Sequence, residues 1–286
     1  MNIQCIRTLT VIWLCITAVS SQEIKNENLA EDNNWKKFTY DLNSIIGGVG
    51  YAYKRPFSWE ENQLRLFGGV IIGTIGLYAI DDDADRWFIK QESHIPNLIK
   101  DYGWYYGNPQ NNYAFNGIVY FTGLLSKNDK IRRTGVLMIS SATATGLLQQ
   151  ISKSIVGRAR PRSGLNKNDF RPFQRNSDFH SFPSGHTALA FSNAHALAKQ
   201  FKNPWLKGGI YLLGSIPPLT RLWNGAHWLT DIALSIALSV ATVEAIDNYL
   251  DKRYGGLSGN EKVEAKKRIA WRLVLKPNGA GVVMNF

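Results

Sequence analysis

Three short polar segments constrain the fold of this chain more than any other feature: Lys153 to Pro161 (KSIVGRARP), Pro183 to His186 (PSGH) and Thr220 to Asp231 (TRLWNGAHWLTD). They interrupt an apolar, helix-patterned region and supply Lys153, Arg160, Ser184, Gly185, His186, Arg221, His227 and Asp231 within about eighty residues. Fixed cations, a hydroxyl and two imidazoles in that number suit holding a phosphate-like oxyanion and attacking it with an imidazole.

The spacings within the segments carry separate expectations. Lys153 and Arg160 are seven residues apart, close to two helical turns, so on a continuous helix both cations share a face. Pro161 ends such a helix. Two cations aimed one way and desolvated repel each other unless an anion lies between them. Arg158 and Arg162 are the members of this run expected in solvent. In PSGH, a Ser-Gly pair at a helix start offers free backbone N–H groups, a hydroxyl and the positive end of the helix dipole. Gly185 lets the backbone approach an oxyanion. Alone, this tetrapeptide reads equally as an ordinary N-cap. His227 and Asp231 are four apart, so on a helix the carboxylate meets one imidazole nitrogen, fixes its tautomer and leaves the other to attack. Arg221 is expected from a loop following a helix break at Pro217-Pro218.

The order KxxxxxxRP, PSGH, then (S/T)RxxxxxHxxxD resembles the signature of the type 2 phosphatidic-acid phosphatase superfamily, which includes bacterial class A acid phosphatases and vanadium haloperoxidases. The resemblance covers about residues 150–235, with Thr220 where serine is usual. It implies an all-α, multi-helix bundle of the acid phosphatase/haloperoxidase type, with no metal and no cofactor. Carried over by position, His227 is the nucleophile that forms a phosphohistidine, Asp231 orients it, and His186 is the general acid. Lys153, Arg160, Arg221, Ser184 and Gly185 bind the phosphate. The implied activity is hydrolysis of a phosphomonoester or diphosphate, a lipid phosphate among the candidates. Two other readings stay open: a vanadium-dependent haloperoxidase using the same anion pocket, and a non-enzymatic binder of anionic lipid through a basic tail.

Composition organises the remainder. Residues 1–20 read as a signal peptide, with Arg7 before an apolar run and a small-residue Ala18-Val19-Ser20 cleavage site. Both cysteines, Cys5 and Cys15, fall inside it, so the rest of the chain has no thiol for a disulfide or a metal. Export to a bacterial periplasm follows as the expected location. Residues 21–34 read as a polar lead-in, 35–250 as the helical domain, and 251–286 as a basic tail with a β-hairpin around Asn278-Gly279. Of the net charge of +11, residues 153–175 hold seven Lys/Arg against one Asp, and 251–286 hold eight against three acids. Charge so localised favours an anionic substrate or membrane surface, and no nucleic acid is expected as partner.

Helices are expected near 115–125, 134–150, 187–201, 208–216 and 228–250, and from a capping box at Ser58-Trp59-Glu60-Glu61 through Phe67 to Ile80. Their uninterrupted apolar runs fall short of the ~20 residues that span hydrocarbon, so a buried bundle is the expectation, with peripheral or integral membrane association left open. Asp81-Asp82-Asp83 reads as a capping, solvated turn. The aromatics at 102–113 suit either a substrate entrance or plain packing. His94, His180 and His195 are expected away from the site.

Overall fold

The computed structural model describes residues 33–255, 270–276 and 279–285. The expected signal peptide at 1–20 and the lead-in up to residue 32 lie outside the described residues. The chain divides into two compact units, Met1–Leu250 and Asp251–Phe286.

The first unit is an all-α bundle. Helix α1 (Asn34–Lys54) starts where the Asn33 side chain accepts the Trp35 N–H at 2.9 Å. Pro56 sets a short 3-10 turn over Arg55–Ser58, so the capping box falls two residues later than expected. Glu60 is the cap and Gln63 its reciprocal partner for α2 (Glu61–Ala79). After one residue the chain turns by 66° into α3 (Asp81–Gln91). Helices α4 (Asn97–Gly107) and α5 (Pro109–Leu125) meet at Asn108, which caps α5 ahead of a proline in its first turn. Then come α6 (Asp129–Val156), α7 (Gly185–Ala198), α8 (Pro204–Trp223) and α9 (Leu229–Gly255).

The core lies around α6 and α7. Val136, Leu137, Met138 and Ala142 of α6 are fully buried, as are Ala190, Ala194 and Ala196 of α7. Helix α6 packs on α1, α5 and α7, while α8 packs on α7 and α4. Each large apolar side chain so enclosed contributes about 1.5–3 kcal/mol. Helix α7 carries five alanines, Ala188, Ala190, Ala194, Ala196 and Ala198, all buried, so its neighbours approach closely. At its start Ser184 is buried, while Gly185 and His186 are half-buried.

Helix α2 departs from a buried-bundle pattern. None of its residues is buried, and Leu66, Ile72 and Ile75 are 72%, 73% and 67% exposed. These large apolar side chains are exposed rather than packed into the bundle. Among the described residues α9 alone is long and apolar enough to cross a membrane as a single helix, and 44% of its apolar window is buried in the protein. Helices α2 and α3 would meet the same criterion only as a bent pair.

In the second unit, β1 (Ala270–Lys276) and β2 (Gly279–Asn285) form an antiparallel hairpin. Lys276 pairs with Gly279, so Gly279 belongs to the strand rather than to the connection.

Candidate active site

Lys153 stands in the last turn of α6, but Arg160 does not share its helix. Gly157, at φ +60°, ends α6 in the left-handed conformation, with its N–H on the Lys153 carbonyl at 3.0 Å. A Cβ there would lie 2.0 Å from the Arg171 carbonyl oxygen, so only glycine fits. The expected continuous helix through Arg160 therefore stops before it, four residues ahead of Pro161. Arg160 is aimed instead by three backbone carbonyls: Ser177 at 2.9 Å, Ala226 at 3.0 Å and His180 at 3.2 Å. Burial and the nearby Arg160 charge pull the Lys153 ammonium down to about 8, against an upward pull from Asp231.

The His227–Asp231 pair also differs from expectation. His227 precedes α9, which begins at Leu229, and its Nδ1 is 4.0 Å from the Asp231 carboxylate. Its hydrogen bond goes to the Ser181 carbonyl oxygen, 2.6 Å away. A carbonyl only accepts, so Nδ1 carries the proton and Nε2 the lone pair. Asp231 binds other groups: the Arg158 guanidinium at 2.6 Å, the Ser181 hydroxyl at 2.5 Å and the Trp228 amide at 2.9 Å. Ser181 thus links the two, donating its hydroxyl to Asp231 and lending its carbonyl to His227. Burial, then Arg160 and Lys153, push the His227 imidazole well below its ordinary range, with the Ser181 carbonyl opposing. It is neutral at pH 7. Complete burial pushes the Asp231 carboxyl up, and Arg158, Ser181 and Trp228 oppose that push.

The PSGH segment opens α7 as expected. Ser184 is its N-cap, with the Thr187 hydroxyl donating to Ser184 Oγ at 2.9 Å and the Thr187 amide lying 3.5 Å away. An oxygen that already accepts in this way retains its own hydrogen to donate. His186 lies in the first turn, its Nε2 buried without a hydrogen-bond partner. Burial pulls this imidazole down to about 3, and Arg221, Lys153 and Arg160 add to the effect. Arg221 comes from the last turn of α8 rather than from a loop, because α8 continues through Pro217 and Pro218. Each proline removes one backbone donor, and here the packing of α8 against α7 outweighs that loss. Arg221 is buried, its Nε has no partner, and burial followed by Arg160 and Arg162 pulls it down to about 10.

Helix α4 closes one side of this group. The Trp104 ring centroid is 4.6 Å from the Arg221 guanidinium and 5.3 Å from that of His186. It reaches them because a Cβ at Gly103 or Gly107 would lie 2.3 Å from Thr220 or 2.8 Å from His186, so glycine lets α4 approach. Of the aromatics at 102–113, Trp104 therefore belongs to the site, while Tyr102 and Tyr106 stack on each other at 5.4 Å. A cavity of about 290 Å³ opens beside Trp104 and Arg221, bordered by Glu92, Lys100 and Asp101.

Two further expectations are corrected. Asp81 is fully buried rather than a solvated cap, and Arg158 is 3% exposed rather than solvated. Each finds a buried partner distant in sequence, which local polarity does not reveal. Ser181, Arg158 and Asp81 are the site-supporting residues that spacing missed. The remaining histidines lie elsewhere: His195 bonds Tyr211 and Glu244, His180 bonds the Gln174 carbonyl, and His94 lies beside Ser93. Among the described residues no three His, Cys, Asp or Glu side chains form a metal-ligand set.

Lipid A 1-phosphatases of Rhizobium etli and Rhizobium johnstonii are 32% and 33% identical over 108 residues, or 36% of this chain and 44% and 42% of theirs. One from Porphyromonas gingivalis is 32% identical over 66 residues, covering 22% of this chain and 15% of that protein. The chain thus spans less than half the length of the curated relatives it matches. The crystal structure of Aquifex aeolicus LpxE aligns with 59% of this chain and 96% of its own, at a TM-score of 0.46 and 17% identity. Residues 134–254, which hold every motif residue from Lys153 to Asp231, match the PAP2 superfamily model.

Proposed function

We propose that this protein hydrolyses a phosphate ester or diphosphate borne by a lipid, through a phosphohistidine on His227. The observation that carries the reading is geometric: Arg160 is held on the carbonyl of Ala226, next to His227, while Trp104 contacts both Arg221 and His186, and these cations with Lys153 keep both imidazoles neutral. Phosphoryl transfer asks mainly for position and for neutralised equatorial oxygens, and these cations with the Ser184 hydroxyl and the Gly185 amide supply both.

In the first step the His227 Nε2 lone pair forms the N–P bond as the P–O bond to the alcohol breaks. His186, protonated once the phosphoryl anion offsets the surrounding cations, gives its proton to the leaving oxygen. In the second step water attacks phosphorus while His186 takes the water proton. The N–P bond then breaks, freeing phosphate and restoring the His227 lone pair.

A lipid substrate is supported by the exposed apolar face of α2, which we place against a membrane surface, and by the names of the relatives. A lipid A phosphate is accordingly the first substrate to test. The signal-like residues 1–20 support an exported, periplasmic location for that surface. The purified full-length chain in detergent should release phosphate from a solubilised lipid phosphate faster than from a soluble ester, without added metal, and vanadate should inhibit it. Equal activity of wild type and His227→Ala would rule the reading out. Membrane fractionation and flotation on anionic vesicles test the surface.

A further inference from the structure

Asp81 opens α3, outside the stretch that matches the family, yet it is fully buried against the start of α9. Its Oδ1 accepts the Thr230 amide at 2.9 Å, and its Oδ2 accepts the Thr230 hydroxyl at 2.6 Å and the Arg158 guanidinium at 2.8 Å. It therefore satisfies an amide in the first turn of α9 from a distant helix. Arg158 spans the gap to the site. One terminal nitrogen faces Asp81; the other donates to the Thr230 hydroxyl at 2.8 Å and to Asp231 at 2.6 Å. Its cation is enclosed by the rings of Tyr78, at 4.9 Å, and Trp228, at 5.3 Å. A buried Asp–Arg–Asp triad is weak as a stabilising device, since apolar packing of equal volume serves a core as well or better. What a planar guanidinium fork does well is fix the directions of two carboxylates at once.

We propose that Asp81 and Arg158 are positioning residues for the nucleophile. Asp81 anchors Arg158 and the start of α9, and Arg158 fixes the Asp231 carboxylate. Asp231 then holds the Ser181 hydroxyl, whose residue presents the carbonyl that binds the His227 Nδ1–H. The catalytic part of this inference rests on His227 being the nucleophile.

The test uses the full-length chain with Asp81→Asn, Asp231→Asn and the double variant, together with Arg158→Lys. Asp81→Asn should lower kcat about 10- to 100-fold with KM within about twofold, as loss of an outer positioning contact does. In the Asp231→Asn background the same change should lower it by under about threefold, because both act along one path. Unchanged kcat, or equal losses in both backgrounds, would overturn the proposal. A readout independent of turnover is the proton resonance of the His227 Nδ1–H, assigned by its disappearance in His227→Ala. It should shift or broaden in Asp81→Asn, and an unmoved resonance would also overturn the proposal. If Asp81→Asn does not fold, Arg158→Lys is read by the same resonance with the same two outcomes. Wild-type protein that shows the resonance yet releases no phosphate would defeat the phosphatase reading alone.

Discussion

The His227 imidazole takes its aim from Ser181, whose carbonyl oxygen lies 2.6 Å from Nδ1. The Asp231 carboxylate, four residues along the chain, stays 4.0 Å away and grips the Ser181 hydroxyl instead. The dyad suggested by spacing is in fact a relay through the residue two positions before Pro183. Orientation of the His227 imidazole then depends on the loop that also opens α7.

Ser181→Ala separates the two functions of that residue. It keeps the carbonyl that binds His227 and removes the hydroxyl that ties the loop to Asp231. A hydrogen bond to a carboxylate is worth about 1.5–3 kcal/mol, so kcat should fall about 10- to 100-fold, at least as far as in Asp81→Asn, which acts through the same hydroxyl. His227→Ala should leave no measurable turnover. Steady-state kinetics on folded protein decides it; a Ser181→Ala enzyme as fast as wild type would mean the hydroxyl does not steer the imidazole.

The Lys153 ammonium, pulled down to about 8 by burial and Arg160, predicts an alkaline limb. Below that pH the lysine is charged and attracts the phosphoryl group; above it the charge is lost. kcat/KM, which reports the free enzyme, should therefore fall as pH rises through about 8. Lys153→Arg should move the limb to higher pH, since guanidinium stays protonated. Lys153→Met should lower kcat/KM at pH 7 and remove this limb. A profile of Lys153→Arg that overlays wild type would reject the assignment.

His186, pulled down to about 3, is neutral at pH 7 until an anion offsets Arg221, Lys153 and Arg160. Binding of vanadate should raise its proton affinity, so binding takes up a proton and tightens as pH falls below 7. Calorimetry in two buffers of different ionisation enthalpy measures that uptake. His186→Gln should reduce it by about one proton, the stoichiometry of a single imidazole. Undiminished uptake in that variant would place the proton on another group.

How much of this was legible in the sequence follows from how far each partner lies along the chain. The all-α bundle and the α7 start at Ser184-Gly185 were readable because residue identity and order alone announce them. The end of α6 at Gly157 was not, since what forbids a Cβ there is the carbonyl of Arg171, met only in the folded chain. Asp81 binds Thr230 across 149 residues and Arg158 across 77, so both looked like solvated charges. The course of α8 through Pro217 and Pro218 was hidden for a related reason: packing outweighed a local rule. Trp104 stood among aromatics for which a site role and simple packing looked alike until its distance to Arg221 was known.

Trp104 covers Arg221 with its ring face, an interaction worth about 0.5–2 kcal/mol. Trp104→Ala should free the guanidinium to swing and let water reach His186. KM should rise about 2- to 30-fold, the range that energy corresponds to. Trp104→Phe, which keeps a weaker ring face, should fall between. Identical KM values for Ala and wild type would show that the ring merely packs.

Gly107 is the position where backbone sterics bear most directly on the chemistry. A Cβ there would lie 2.8 Å from both Cβ and Cδ2 of His186, closer than such atoms can approach. Gly107→Ala must therefore push α4 outward or turn the imidazole. Gly107 is the last residue of α4, where the gain of up to about 1 kcal/mol that Gly→Ala brings in a helix interior is at most partly realised, so little offsets the clash. Overpacking of this severity typically costs about 1–3 kcal/mol, and the clash should win. The expected result is a lowered melting temperature together with at least about a tenfold loss of kcat, as His186 leaves the line of proton transfer. Gly103→Ala, which would strike Thr220 rather than the imidazole, provides the control. It should lower the melting temperature with a smaller loss of kcat, and equal losses in kcat for both variants would show that helix displacement, not the position of His186, limits the reaction.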